Sequence, residues 1–161
     1  MKNGIDGRAL QGEPRGGVGQ YTFNLLRALF GLDQENEYLV WYNGFGKIVT
    51  PRFSEYKNVR IRRTHWPNKI LNVAMRLLSI IPPFANRGIK SPMSDVDIFF
   101  MPNLNFISVA TGTKLVLVAH DLSFEYFPEH FSLKSRLWHR AIHPRALLNR
   151  ADQIIAVSEH T

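Results

Sequence analysis

The chain has 161 residues, 45% hydrophobic and 12% aromatic, which is enough for one globular domain, residues 1–161, with a sizeable core. It contains no cysteine, so disulfide scaffolds, thiolate metal sites and cysteine nucleophiles are excluded, and an intracellular setting is allowed. No stretch approaches the ~20 apolar residues that a membrane-spanning helix needs, and the N-terminus lacks a signal-peptide pattern.

The formal charge of +7 is concentrated in one segment. Residues 52–90 hold nine basic residues against a single acid, Glu55, while the rest of the chain is nearly balanced. Such a block attracts lipid head groups, phosphorylated substrates or nucleic acid, and a solvated face that only aids solubility is the alternative. Because no RNA- or DNA-binding motif accompanies it, we do not expect a nucleic-acid partner.

Near the N-terminus, a short strand at Ile5-Asp6 leads to a glycine cluster, Gly16, Gly17 and Gly19, directly before a predicted helix. Glycines let backbone N–H groups approach a ligand, and a helix N-terminus supplies unpaired donors and partial positive charge. The pattern predicts a seat for a phosphate or diphosphate. A glycine-rich connection that merely turns the chain is the alternative.

Apolar runs define the middle of the chain. The first helix should stop at Gly31. Next come a strand over 38–42, a strand over 59–62 suited to a sheet edge, an amphipathic helix over 68–81 ended by Pro82-Pro83, and buried strands over 97–101 and 114–119. The apolar face predicted for the amphipathic helix consists of Ile70, Val73, Ala74, Leu77, Leu78 and Ile81.

The last third predicts a helix capped by Ser132 that runs to about Arg150 with a break at Pro144, then a buried strand over 153–157. His139 and His143 stand four residues apart, but the intervening general-base glutamate of a metalloprotease is missing, so we expect a solvated helix face and no metal site. The alternation of strands and helices predicts an α/β fold: a Rossmann-like, doubly wound, mostly parallel sheet with helices on both faces.

Ligands of such sheets bind beyond the carboxyl ends of the strands. Besides the glycine cluster, two places qualify: Asn103, which follows the strand over 97–101, and His120-Asp121, which follows the strand over 114–119. A histidine there can donate to a phosphate, hold a sugar hydroxyl or act as acid or base. The alternative is a histidine that satisfies a loop carbonyl beside an aspartate that caps a turn. The dinucleotide fingerprint does not fit, since Thr22 stands where its third glycine belongs, and a P-loop lysine is absent.

Four motifs in this order resemble the N-terminal half of a family 4 glycosyltransferase, of the mannosyltransferase-like GT-B group. They are Ile5-Asp6-Gly7-Arg8-Ala9-Leu10, Gly16-Gly17-Val18-Gly19-Gln20-Tyr21, His120-Asp121-Leu122-Ser123-Phe124 with Phe127-Pro128-Glu129, and Arg150-Ala151-Asp152-Gln153-Ile154-Ile155-Ala156-Val157-Ser158-Glu159-His160-Thr161. Their order and spacing over nearly the whole chain make the resemblance specific. One departure is Asn3, which replaces an apolar strand residue, so the first strand is expected to be short or frayed.

The resemblance implies the acceptor-binding lobe of a retaining, metal-independent enzyme whose C-terminal lobe binds the nucleotide sugar. It places Gly16, Gly17 and Gly19 near the donor diphosphate, with Asp121 and Asn103 as further substrate contacts, and His120 against the transferred sugar as the catalytic residue. The resemblance also implies that the leaving phosphate helps to deprotonate the acceptor hydroxyl. No cofactor is implied. The C-terminal lobe would be missing after Thr161, so this chain alone should lack transferase activity.

The basic block acquires a role through the same resemblance, because many such enzymes act on lipid-linked acceptors at a membrane face. Arg62, Arg63, Lys69 and Arg76 are the candidate acceptor or membrane contacts. Packing of the neighbouring apolar residues in the core is the alternative. We expect a cytoplasmic location, with the cytoplasmic face of the membrane as a candidate site of action.

Overall fold

The computed structural model describes residues 1–80, 93, 95–110, 112–159 and 161, with residues 77–80 described by their backbone only. The strands are β1 (Lys2–Asp6), β2 (Glu37–Asn43), β3 (Val59–Thr64), β4 (Ile98–Met101), β5 (Lys114–Ala119) and β6 (Gln153–Ala156). The α-helices are α1 (Gly17–Leu32), α2 (Asn68–Ile80), α3 (Ser123–Tyr126), α4 (Leu133–Ile142) and α5 (Pro144–Arg150). The described residues also form two 3-10 turns, Gly7–Leu10 and Pro128–His130.

The six strands form one all-parallel sheet in the order β3-β2-β1-β4-β5-β6. This order is that of a Rossmann-like α/β domain, so the predicted fold class is confirmed. β1 lies at the centre, where Asn3 pairs with Tyr38 on one side and Ile98 on the other. The expected fraying of β1 is therefore wrong, because hydrogen bonds from both neighbours hold a polar residue in the strand.

The core has two layers, one on each face of the sheet. In β2, Leu39 and Trp41 face one layer while Tyr38, Val40 and Tyr42 face the other, as strand alternation requires. Helix α1 packs Leu26 and Phe30 into the second layer. Helices α2 and α4 contribute Leu71, Met75 and Ile142 to the first layer, so helices cover both faces.

Helix α2 packs through a different face from the predicted one. Leu71 and Met75 are buried, whereas Ile70 and Val73, which the sequence placed on the apolar face, are exposed. The helix carries two adjacent apolar stripes, and the stripe that faces the sheet is the one buried. Three residues predicted to extend or end this helix, Ile81, Pro82 and Pro83, lie outside the described residues, as do the basic residues Arg87 and Lys90.

Two helix boundaries and the two edge strands can also be compared with the sequence prediction. Gly31 lies inside α1, which continues to Leu32. The helix predicted to begin at Ser132 is interrupted as expected: Ser132 accepts a hydrogen bond from the Ser135 N–H, and His143, in the left-handed region with φ 54°, separates α4 from α5. Strand β6 is exposed rather than buried, because it is an edge strand that pairs only with β5 in the described sheet. The predicted edge position of β3 is confirmed.

A buried ion pair joins the end of β1 to its surroundings. The Asp6 carboxylate accepts hydrogen bonds from the Arg8 backbone N–H at 3.0 Å, from Nε at 2.9 Å and from Nη2 at 2.6 Å. The Arg8 and Asp6 side chains are 7% and 4% exposed. Arg8 Nη2 also donates to the Phe106 carbonyl at 2.8 Å, and its guanidinium lies 4.6 Å from the centroid of the Trp41 ring. One arginine thus connects β1, β2 and the segment after β4.

Substitution Asp6→Asn should lower the free energy of unfolding by about 3–5 kcal/mol, since it leaves the Arg8 guanidinium buried without its counter-charge. Urea denaturation of both proteins measures the difference. The control is Glu37→Gln, which breaks the exposed Arg60–Glu37 pair and should change stability little. Equal effects of the two substitutions would show that the buried pair has no special role in the fold.

Candidate functional site

The N-terminus of α1 presents backbone donors without partners. Gly16 is the N-cap residue and has no side chain to cap the helix, and the first intrahelical bond runs from the Gln20 N–H to the Gly16 carbonyl at 2.9 Å. The N–H groups of Gly17, Val18 and Gly19 therefore have no acceptor among the described residues. Together with the helix dipole, these donors suit an anion.

The three glycines differ in what surrounds them. A Cβ on Gly19 would lie 2.7 Å from the Ala9 carbonyl oxygen, so this glycine lets α1 pack against the turn after β1. A Cβ on Gly16 or Gly17 would meet nothing within 4 Å, and Gly16 has an ordinary extended backbone with φ −69°. Packing thus explains Gly19 alone, while Gly16 and Gly17 leave open space in front of the free N–H groups.

Arg15 adds a positive charge beside this helix start. Its guanidinium lies 4.6 Å from the centroid of the Phe23 ring, and its Nη2 forms an ion pair of 2.9 Å with Glu13. Arg15 Nε is buried and has no hydrogen-bond partner. Arg15 was not among the site residues predicted from the sequence, although its place directly before the glycines could have suggested it.

His120 is held at the carboxyl end of the sheet by two neighbours. Its Nε2 lies 2.8 Å from the Pro102 carbonyl oxygen. Because a carbonyl only accepts, Nε2 carries the hydrogen, and Nδ1 has no hydrogen-bond partner in the described part of the chain. The Tyr21 ring of α1 meets the imidazole edge-on, with ring centroids 5.0 Å apart. His120 thus binds a loop carbonyl through Nε2, as the alternative interpretation predicted, but its Nδ1 remains available for a ligand.

Asp121 is engaged locally. Its Oδ1 accepts hydrogen bonds from the Ser123 N–H at 2.9 Å and from the Ser123 hydroxyl at 2.5 Å, which fixes the start of α3. These bonds from Ser123 lower the pKa of the Asp121 carboxyl, with smaller contributions from His139 and His120. The carboxylate is therefore ionised at neutral pH and caps the turn.

Asn103 lines a cavity of about 120 Å³ together with Asp6, Arg8, Ala9, Pro102 and Asn105. The cavity lies between the segments that follow β1 and β4. Pro102, the neighbour of Asn103, and Tyr21, one turn after Gly17, both contact the His120 imidazole, so the segments that carry the three sequence-predicted places meet at this residue.

The four basic candidates lie elsewhere. Arg62 forms a bidentate ion pair with Asp95, at 2.7 and 2.9 Å, and Lys2 binds the same carboxylate at 2.6 Å. Arg63 donates to the Thr50 hydroxyl at 2.9 Å. Lys69 is exposed and Arg76 is half-buried, both on α2. Arg63 and Lys69 have no described contact with His120 or with the glycines.

His139 corrects a sequence prediction. Instead of lying on a solvated face with the exposed His143, its ring stacks on Phe124, with ring centroids 4.2 Å apart and planes at 5°. Phe124 and His139 lie on different helices, so the spacing of residues along one helix gave no signal of their contact. Among the described residues, no group of three or more His, Asp or Glu side chains is placed to hold a metal ion.

Within the described part of the chain, no helix has the length and apolar character needed to cross a membrane. The comparisons with curated proteins and with solved structures gave no significant match. The sequence model of Glycosyltransferase Family 4, by contrast, matches residues 15–161. This range contains α1, the His120 segment and all the strands after β1. The chain belongs to glycosyltransferase family 4.

Proposed function

We propose that this domain is the acceptor-side lobe of a retaining glycosyltransferase that moves a mannose-like hexose from a nucleotide sugar to a saccharide or lipid-linked acceptor. Family membership supports a glycosyltransferase function. In this proposal the family's second lobe binds the nucleotide, the domain alone is inactive, and neither a cofactor nor a metal takes part.

The observation that carries the proposal is the contact between the His120 imidazole and the ring of Tyr21, which lies on the first turns of the helix whose N-terminal N–H groups are free. Tyr21, which contacts the imidazole, lies one turn from Gly17, so an anion at the helix start and a sugar at His120 would be neighbours. In our proposal the N–H groups of Gly17, Val18 and Gly19 face the donor diphosphate. His120 Nδ1 hydrogen-bonds a hydroxyl of the transferred sugar, and Asn103 contacts substrate from the adjacent cavity.

The chemistry requires little else from this lobe. The acceptor oxygen forms a bond to the anomeric carbon on the face from which the diphosphate leaves, and the bond from that carbon to the diphosphate oxygen breaks with its electron pair. The acceptor proton passes to the leaving phosphate. Fixed N–H donors stabilise the negative charge that develops on the diphosphate, and they need no reorganisation as the bond breaks.

Substitution His120→Ala in the full-length protein should lower kcat/KM for the sugar nucleotide about 10–100-fold, the loss expected for one substrate hydrogen bond in a closed site. The measurement is hydrolysis or transfer with GDP-mannose and other sugar nucleotides. His130→Ala, which removes an exposed histidine, is the control and should leave the rate unchanged. If wild-type protein turns over none of these donors, the proposed function is wrong.

Substitutions at two of the glycines should distinguish an effect on stability from an effect on binding of the sugar nucleotide. Gly19→Ala should cost about 1–3 kcal/mol of stability because its Cβ meets the Ala9 carbonyl. Gly17→Val should leave Tm unchanged and raise KM for the sugar nucleotide about 10-fold, by placing a side chain in front of the donors. Thermal denaturation and steady-state kinetics measure the two effects. An unchanged KM in Gly17→Val would contradict the diphosphate assignment.

A second candidate function is a non-catalytic module that binds an anionic polymer or membrane surface. One observation favours it: Trp66, Ile70 and Val73 are 56%, 54% and 60% exposed beside the exposed Lys69. Apolar side chains next to a basic residue suit the interface of an anionic membrane. Both functions are compatible with one protein that takes a lipid-linked acceptor from a membrane.

The double substitution Ile70→Ser/Val73→Ser should weaken co-sedimentation with phosphatidylglycerol vesicles on the order of 10-fold, because it removes two apolar contacts with the lipid. The matched control is Leu32→Ser/Val49→Ser, which removes two exposed apolar side chains elsewhere. A wild-type protein that fails to sediment with vesicles at low salt would eliminate the membrane function.

A further inference from the structure

A larger cavity is lined by His139 and by aromatic side chains that contact it. This α4 cavity, of about 390 Å³, is bounded by α3, the Pro128–His130 turn and α4. Phe124, Phe131 and Leu137 form part of its apolar wall. The His139 ring stacks on Phe124 and meets the Phe131 ring at a centroid distance of 5.8 Å. The volume of the α4 cavity falls within the range of small-molecule binding sites.

The α4 cavity has an excess of positive charge. Arg136 and Arg140 line it, are exposed, and form no ion pair or side-chain hydrogen bond within the described ranges. Of the described residues that line the cavity, Glu125 is the one acid, and Arg145 neutralises it with two hydrogen bonds to Oε2, at 3.1 and 3.0 Å. Two guanidiniums are therefore left to attract an anion.

A buried nitrogen in the wall also has an unmet hydrogen-bonding requirement. His139 Nδ1 is inaccessible and has no partner. Burial lowers the pKa of the His139 imidazole, so the ring is neutral at pH 7. Unsatisfied buried polar atoms are uncommon because they cost free energy, and they often mark a place for a ligand or water.

The α4 cavity is lined by Phe124 and Glu125, which follow His120 closely in the chain. Asp121, the residue after His120, is within electrostatic reach of both His120 and His139. Leu133 and Leu137, on the outer side of α4, are strongly exposed and extend the apolar wall toward solvent. The α4 cavity therefore has a positively charged part that attracts anions and an apolar part that continues onto the exposed surface of α4.

We propose that the α4 cavity binds the phosphate of an amphiphilic acceptor, with Arg136 and Arg140 on the phosphate oxygens and Leu133 and Leu137 against its apolar chain. Planar guanidiniums bind phosphate through paired hydrogen bonds, and the apolar side chains match an attached hydrocarbon. This inference rests on the proposed function and names its acceptor class: a lipid-linked phosphosugar, whose receiving hydroxyl lies toward His120.

The test is isothermal titration of the full-length protein, without donor, using octyl phosphate below its micellar concentration. Octyl phosphate should bind, and Arg136→Gln/Arg140→Gln should weaken it about 10-fold or more, since charge-assisted hydrogen bonds are lost. Both arginines are exposed, so Tm should not change. Arg52→Gln/Lys57→Gln, which removes two exposed charges from the loop between β2 and β3, is the matched control and should bind as wild type does.

Two further probes separate the phosphate from the chain. Leu137→Ser should weaken octyl phosphate but not inorganic phosphate, whereas octyl glucoside should bind poorly to every variant. The proposal is overturned if octyl phosphate does not bind, if the double arginine variant binds it normally, or if inorganic phosphate binds equally well and Leu137→Ser has no effect.

Failure of this inference differs from failure of the proposed function. A full-length protein that transfers sugar but ignores octyl phosphate contradicts the α4 cavity alone. A protein that binds octyl phosphate through Arg136 and Arg140 but turns over no sugar nucleotide contradicts the transferase function and leaves the phosphate site standing.

Discussion

The buried pair of Asp6 and Arg8 is the interaction on which the carboxyl edge of the sheet depends. Arg8 is bound at once to the end of β1, to the Phe106 carbonyl after β4 and to the Trp41 ring of β2. Taking two charges out of water costs free energy, and their full hydrogen bonding offsets it. The pair fixes three chain segments relative to one another, and two of them, after β1 and after β4, line the small cavity.

The succession of strands and helices could be predicted because apolar runs and helical periodicity are local signals. The all-parallel sheet followed from the same alternation. The packing of α2 could not be predicted, since Ile70 and Leu71 begin adjacent apolar stripes and only the position of the helix over the sheet decides which is buried. The exposure of β6 likewise depends on its place in the sheet order rather than on its apolar sequence.

The candidate site was predictable where it follows the rule that ligands meet the carboxyl ends of parallel strands. That rule identified His120, Asn103 and the glycines, which the structure gathers at one edge. That rule gave no indication of Arg136 or Arg140, which lie on a helix. The other signal, the count of charges along the sequence, points to residues 52–90 instead. Helix α4 concentrates basic residues in space, and Arg145 removes the charge of the nearby acid.

The two edges of the sheet are chemically unequal. β3 carries Arg60, Arg62 and Arg63, and charged side chains discourage a foreign strand from pairing with it. β6 instead exposes Ile154 and Ile155 along a short, uncharged strand, and in the described sheet no strand pairs with its outer backbone groups. Growth of the sheet by addition of another polypeptide is therefore directional, favoured beside β6 and opposed beside β3.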